Sequence, residues 1–229
     1  MNFPFAFHSF IRNFVADLEK GPMKEIEQHP LQPFLPSHAR LLMLGSFPPS
    51  RKRWCMDFFY PNFNNDMWRI WGIVCFQDKD YFVDLTNKRF KQQEIETFLN
   101  EKGIALYDTA CAVVRTKNTA SDKDLDVVEE TDIDGLLQQI PNCGAIVTTG
   151  QKATDILTAR FGIRQPAVGE YVSFDYQGRI MRLYRMPSSS RAYPLALEKK
   201  AEKYKTVLEE FKVQSSEFRV QSSELRVET

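Results

Sequence analysis

The side chains best equipped for chemistry crowd into one stretch, Leu41 to Trp71, reading LLMLGSFPPSRKRWCMDFFYPNFNNDMWRIW. Its apolar opening, Leu41 to Leu44, reads as a short strand buried on both faces, which then breaks into Gly45-Ser46-Phe47-Pro48-Pro49-Ser50. A Gly/Pro turn at the end of a strand puts backbone N–H groups and small side chains at the carboxyl edge of a sheet, where α/β proteins bind ligands. Behind it come Arg51, Lys52 and Arg53, then Trp54, Phe58, Phe59, Tyr60, Phe63 and Trp68, and among them Asn62, Asn64, Asn65 and Asp66. Aromatic faces beside amides and an acid suit a ligand that is flat and polar. Two plainer readings stand beside this one. The aromatics could plug the core under an irregular loop, and Asn64 or Asn65 could cap the helix that Met67, Trp68, Ile70, Trp71 and Val74 predict.

The flanking elements must hold that stretch in place. His8 to Leu18 has helical periodicity, Met23 to Gln28 predicts a short second helix, and Phe90 to Leu99 a helix stopped by Gly103. Ile104 to Asp108 is a second buried strand with Asp108 at its carboxyl end, and Cys111 to Asp126 reads as an irregular surface excursion. Thr131-Asp132 caps a helix through Ile140. Cys143 to Gly150 is a third buried strand ending in glycine, and a helix from Lys152 to Phe161 follows it. Repeated β–loop–α units imply a parallel sheet with right-handed crossovers. Tyr171 to Tyr176 and Ile180 to Tyr184 alternate around Gln177-Gly178 as a hairpin. Its second strand leads into Met186-Pro187-Ser188-Ser189-Ser190-Arg191, and Pro194 at the first helical position starts the last helix, which runs to Phe211. The organisation expected is therefore an N-terminal helical segment (1–37) packed on an α/β domain (38–211), with a disordered tail (212–229). That tail repeats as VQSSEFR and VQSSELR, too few copies for a stable coiled coil, though it could recruit a partner.

Bulk properties narrow the function. The 229 residues suit one domain with appendages, and 43% apolar residues can build a core. Thirty basic and thirty acidic residues cancel, so nucleic acid would have to bind a local basic patch. Cys55, Cys75, Cys111 and Cys143 contain no C-x-x-C pair, which signals neither a zinc site nor an iron–sulfur cluster; no metal and no cofactor are expected. Reduced thiols, no apolar run near the ~20 residues that span a bilayer, and no signal-peptide pattern at Met1 to Phe5 make a cytoplasmic protein the expectation. A nucleotidylyltransferase turn would need histidines downstream, yet His8, His29 and His38 all precede the first strand. A phosphate-cradling reductase turn is disfavoured by Pro48 and Pro49, which lack N–H donors, and neither a P-loop nor a dinucleotide fingerprint occurs.

In order and spacing, LLMLGSFPP, FFYPNFNNDMW, GIALYDTA, AIVTTGQKA and MPSSSRAY, the last leading into a Lys-rich helix, resemble the uracil-DNA glycosylase superfamily. They are most similar to its hypoxanthine-DNA glycosylase-like branch, over Leu41 to Phe211. The resemblance implies a three-layer α/β/α fold with a central, mostly parallel sheet, plus a C-terminal helix and tail. It implies a monofunctional, metal-independent DNA glycosylase, monomeric and active in base-excision repair, that hydrolyses the N-glycosidic bond of a deaminated base, uracil or hypoxanthine, flipped out of DNA. The implied base pocket comprises Gly45, Ser46, Phe47, Pro48, Phe58 and Tyr60. Within it Phe58 or Tyr60 stacks on the base, and N–H groups around Ser46 and Phe47 hold its oxygen as charge grows. The water-activating role maps onto Asn65, with Asp66 as the alternative general base and Asn64 a third possibility from the loop's register. Arg51, Lys52, Arg53, Ser188, Ser189, Ser190 and Arg191 are the implied DNA contacts.

Two departures from the superfamily pattern bear on activity. Phe47 stands where many members carry an Asp or Asn, and Met186, which donates no hydrogen bond, stands where a His commonly stabilises the leaving base. They favour a rival reading, in which the chain is a nucleic-acid or nucleobase-binding module that kept the pocket and lost the chemistry.

Overall fold

Residues 25–117 and 122–208 are described by a computed structural model of the chain. The three apolar runs form the centre of the fold. β2 (Leu41–Gly45), β5 (Ile104–Asp108) and β8 (Ala145–Thr149) are buried at every position, so neither face can be given to solvent. They pair in parallel, with Leu41 opposite both Ile104 and Ala145, within a five-stranded sheet ordered β5-β2-β8-β10-β9. β10 (Arg179–Met186) is parallel to β8, while β9 (Glu170–Tyr176) is antiparallel to β10. The hairpin turn falls at Gln177 and Gly178, with φ of 54° and 82°, the left-handed pair that matches strand twist. The sheet is therefore mixed and mostly parallel.

Five helices accompany it among the described residues: α1 (Met67–Phe76), α2 (Gln92–Lys102), α3 (Ile133–Gln139), α4 (Gln151–Phe161) and α5 (197–208). Their ends follow the expected chemistry. Gly103 stops α2 at φ 66°, and the Asp132 carboxylate accepts the Gly135 N–H at the start of α3. Met67, Trp68, Ile70 and Trp71 of α1 are buried in the main core beside the central strands.

Three local expectations are corrected. Ile26–Gln28, expected in a short helix, is a strand, β1. The segment from Cys111 to Asp126 is no irregular excursion: β6 (Ala110–Arg115) and β7 (Leu125–Glu130) form with β1 an antiparallel sheet ordered β1-β6-β7. Register shifts between Ala110 and Val113 interrupt the period-two pattern that would have marked β6 as a strand. The last helix starts at residue 197, three residues after Pro194, which lies in a turn instead of at the first helical position. A two-rung ladder joins β3 (Val83–Asp84) to β4 (Arg89–Phe90). The expected helix over His8 to Leu18 and the repetitive tail 212–229 lie outside the described residues.

Candidate active site

Parallel strands in register end together, and here their carboxyl ends open onto one cavity. β2 ends at Gly45, β8 at Thr149 and β10 at Met186, and Gly45, Ser46, Thr149, Gly150, Met186 and Pro187 all line a cavity of about 710 Å³. Phe47, Pro48, Phe59, Tyr60, Asn64, Asn65 and Ser188 to Ser190 complete much of its wall.

The aromatic part of the loop divides in two. Phe58, expected in the pocket, packs in the core against Phe34, Phe59 and Trp68 and is absent from the cavity lining. Tyr60 does line it, at φ 51°, a left-handed conformation uncommon for a bulky residue. Its hydroxyl lies 2.9 Å from Thr149 Oγ1, bridging the loop to the end of β8, and burial pushes its pKa upward, with the Asp108 carboxylate adding to the shift. The indole N–H of Trp68 donates to the Phe59 carbonyl at 3.1 Å, which helps hold the loop over the core.

The polar cluster is held as tightly. Asn65 lines the cavity, and its Oδ1 accepts the Met67 N–H at 2.8 Å, capping α1 from outside its first turn and fixing the side chain in place. Asn64 is exposed, and its Oδ1 lies 3.5 Å from Arg191 Nη1. Asp66 is buried and both of its oxygens are taken: Arg191 Nε donates to Oδ1 and Lys200 Nζ to Oδ2, each at 3.0 Å. The Lys200 side chain is 1% exposed, and its ammonium also donates to the Ser190 carbonyl at 2.8 Å. The Asp66 N–H donates to the Ser189 carbonyl, and Asn65 bridges Ser190. A buried charge pair of this kind ties the loop before α1, the turn after β10 and helix α5 into one wall. With a cation already on each of its oxygens, Asp66 serves as a fastening of the wall, and the geometry argues against it as the base.

The expected DNA contacts fall into two groups. Arg51, Lys52 and Arg53 form an exposed 3₁₀ turn that does not line the cavity; Arg51 pairs with Asp57 at 3.0 Å and lies over the Trp54 ring. Ser188, Ser189 and Ser190 do line it, whereas Arg191 turns to Asp66.

Two acids that line the cavity, Asp108 and Asp122, and a histidine paired with the first were given no role by the sequence reading. Asp108, at the end of β5, lines the cavity, and its Oδ2 lies 2.9 Å from His29 Nε2. The His29 side chain is 2% exposed, boxed by the rings of Phe47, Phe59 and Tyr107. Its Nδ1 is 2.9 Å from the Leu31 carbonyl oxygen and 3.2 Å from the Leu31 nitrogen. Asp122, before β7, accepts the Ser46 hydroxyl at 2.6 Å; burial pushes its pKa upward and the Asp108 charge adds to that. A side chain at Gly45 would collide with this arrangement, because its Cβ would stand 2.3 Å from Asp108 Oδ1 and 3.4 Å from Tyr60 Oη. The glycine that ends β2 therefore makes room for the acid that ends β5. Asp108 could have been found as a polar residue closing a buried strand. His29, 79 positions upstream, gave no local signal.

Among the described residues, no group of three or more His, Cys, Asp or Glu is placed to hold a metal, and no helix is long and apolar enough to cross a membrane. No family model and no curated protein sequence matches the chain. Solved structures do match it. One is the solution NMR structure of a protein from Methanosarcina acetivorans described as a "putative Uracil DNA glycosylase"; it superposes with a TM-score of 0.54 at 20% identity, over 82% of this chain and 99% of that one. At that identity the likeness is one of fold.

Proposed function

We propose that the chain is a DNA N-glycosylase of the uracil-DNA glycosylase type, hydrolysing the bond between deoxyribose and a deaminated base, uracil or hypoxanthine, that has left the duplex. The observation that carries this reading is the meeting of three strand ends, at Gly45, Thr149 and Met186, on one cavity walled by rings, amides and hydroxyls. A fold shared with a protein described as a glycosylase supports it. The finer resemblance, to the hypoxanthine-DNA glycosylase-like branch and its three-layer arrangement, belongs to the same proposal, as do a monomeric state and a cytoplasmic location.

In this reading the extruded base lies against Phe47 and Tyr60, where stacking offsets part of the few kcal/mol lost on leaving the helix. N–H groups around Ser46 and Phe47 meet the base oxygen as negative charge develops there. Asn65 orients the attacking water through its side-chain amide, which the Met67 N–H holds in place at Oδ1. Arg51, Lys52 and Arg53 meet the phosphates, with Ser188, Ser189 and Ser190 gripping the backbone at the cavity edge.

The binding-module reading is favoured by one observation: Met186 lines the cavity and donates no hydrogen bond to a departing base. One assay separates the two. Labelled duplexes containing uracil, hypoxanthine or xanthine are incubated with the protein and heated in alkali. Strand scission at the modified position, reduced in Asn65→Ala, supports the enzyme; tight binding with no scission in any duplex supports the module.

A further inference from the structure

We propose that Asp108 is a catalytic residue of this cavity, the carboxylate that takes the proton of the attacking water, and that His29 is its positioning residue. The inference rests on the glycosylase reading and adds to it an acid from the second strand of the sheet, outside the GSFPP turn and the asparagine loop.

The argument begins with a need. An amide cannot accept a proton at neutral pH, so Asn65 can orient water but cannot deprotonate it. Asp66 is the nearest acid in sequence, but Arg191 and Lys200 occupy both of its oxygens. Asp122 accepts the Ser46 hydroxyl, and its burial favours the protonated form. Asp108 differs from both. It lines the cavity, one of its oxygens is held by His29, and no hydrogen bond to Oδ1 is found among the described residues. The bare Cα of Gly45 leaves the space that Oδ1 occupies.

His29 fits an orienting role. Nε2–H donates to Asp108 Oδ2, Nδ1 is anchored at the Leu31 backbone, nearest its carbonyl oxygen at 2.9 Å, and three aromatic rings fix the plane of the imidazole. One fixed donor on Oδ2 sets the plane of the carboxylate and so the direction of its second oxygen. In the step itself the water oxygen bonds to C1′ while the C1′–N bond breaks and its electron pair stays with the base. The water proton passes to Asp108 and from there to solvent, and the departing base takes up a proton. The same negative charge steadies the cationic sugar while the bond is breaking.

The test uses the full chain with two readouts. The first is single-turnover cleavage of uracil and hypoxanthine duplexes, with duplex affinity measured separately. Asp108→Asn should slow the step by about 100-fold or more at nearly unchanged affinity. His29→Ala should slow it by about 10-fold to 100-fold, and His29→Gln, whose amide can still donate to Oδ2, should recover much of that loss. The second readout is binding to duplexes carrying a cationic pyrrolidine in place of the sugar, against the neutral tetrahydrofuran analogue. Wild type should prefer the cation and Asp108→Asn should lose the preference.

Cleavage by Asp108→Asn at nearly the wild-type rate overturns the inference and leaves the glycosylase reading standing. Absence of cleavage by wild type sinks the glycosylase reading instead. In that event, a cation preference that vanishes in Asp108→Asn still supports Asp108 as the charge facing the sugar. No preference in wild type, or one that Asp108→Asn retains, overturns it.

Discussion

Two carboxylates stand at this cavity in opposite circumstances. Asp66, in the wall, is buried between a guanidinium and an ammonium and holds three segments of chain together. Asp108, at the end of β5, touches one imidazole and lines the open space. Both were visible as acids near promising turns. What separates them is the number of partners each already has: a carboxylate with both oxygens spent on cations is a fastening, and one with an oxygen to spare can exchange a proton. The contrast explains why proximity to the asparagine loop is a poor guide to the base.

The largest effect expected from breaking this contrast lies in the wall. Lys200→Met leaves Asp66 buried with a single, half-exposed cation, and removing one partner of a buried pair typically costs about 3–5 kcal/mol. A melting temperature lower by roughly 10 °C should follow in thermal unfolding by circular dichroism, and an unchanged one would show that the wall does not depend on the pair. Gly45→Ala should come next: its methyl would press on Asp108 Oδ1, with about 1–3 kcal/mol of overpacking and loss of whatever cleavage the protein shows. Tyr60→Phe removes the bridge to Thr149 and should lower stability by about 1 kcal/mol, measured by urea unfolding.

The smallest effect concerns Asp122. Burial raises its folded-state pKa above the unfolded value of about 3.9, so its contribution is fully present below that pH and is lost as pH rises through the raised value. Asp122→Asn should therefore gain stability relative to wild type as pH is increased from about 4 towards neutrality. Parallel curves over that range would mean that the carboxylate is better solvated than its position implies.

Much of the sheet was legible in the sequence. Leu41 to Leu44, Ile104 to Tyr107 and Ala145 to Val147 are uninterrupted apolar runs, and a run of that kind followed by glycine or a polar residue has few other uses in a chain of this size. The convergence of Gly45, Thr149 and Met186 follows from parallel pairing. The antiparallel sheet was not legible, because β1 is three residues long and β6 carries register shifts that destroy its alternation. The site was legible only in part. Loop residues Phe58 and Tyr60 differ by two positions, yet one faces the core and the other the cavity, since Tyr60 takes a left-handed turn that no spacing rule announces. His29 comes to Asp108 only because β1 pairs with β6, and a strand unseen conceals every residue it carries.

Gly45 also bears on the protein's history. Where a related chain carries alanine or anything larger at that place, the acid opposite should have shrunk, turned away or given up its charge. The two positions are bound to change together, because the side chain of one fills the space that the other leaves empty.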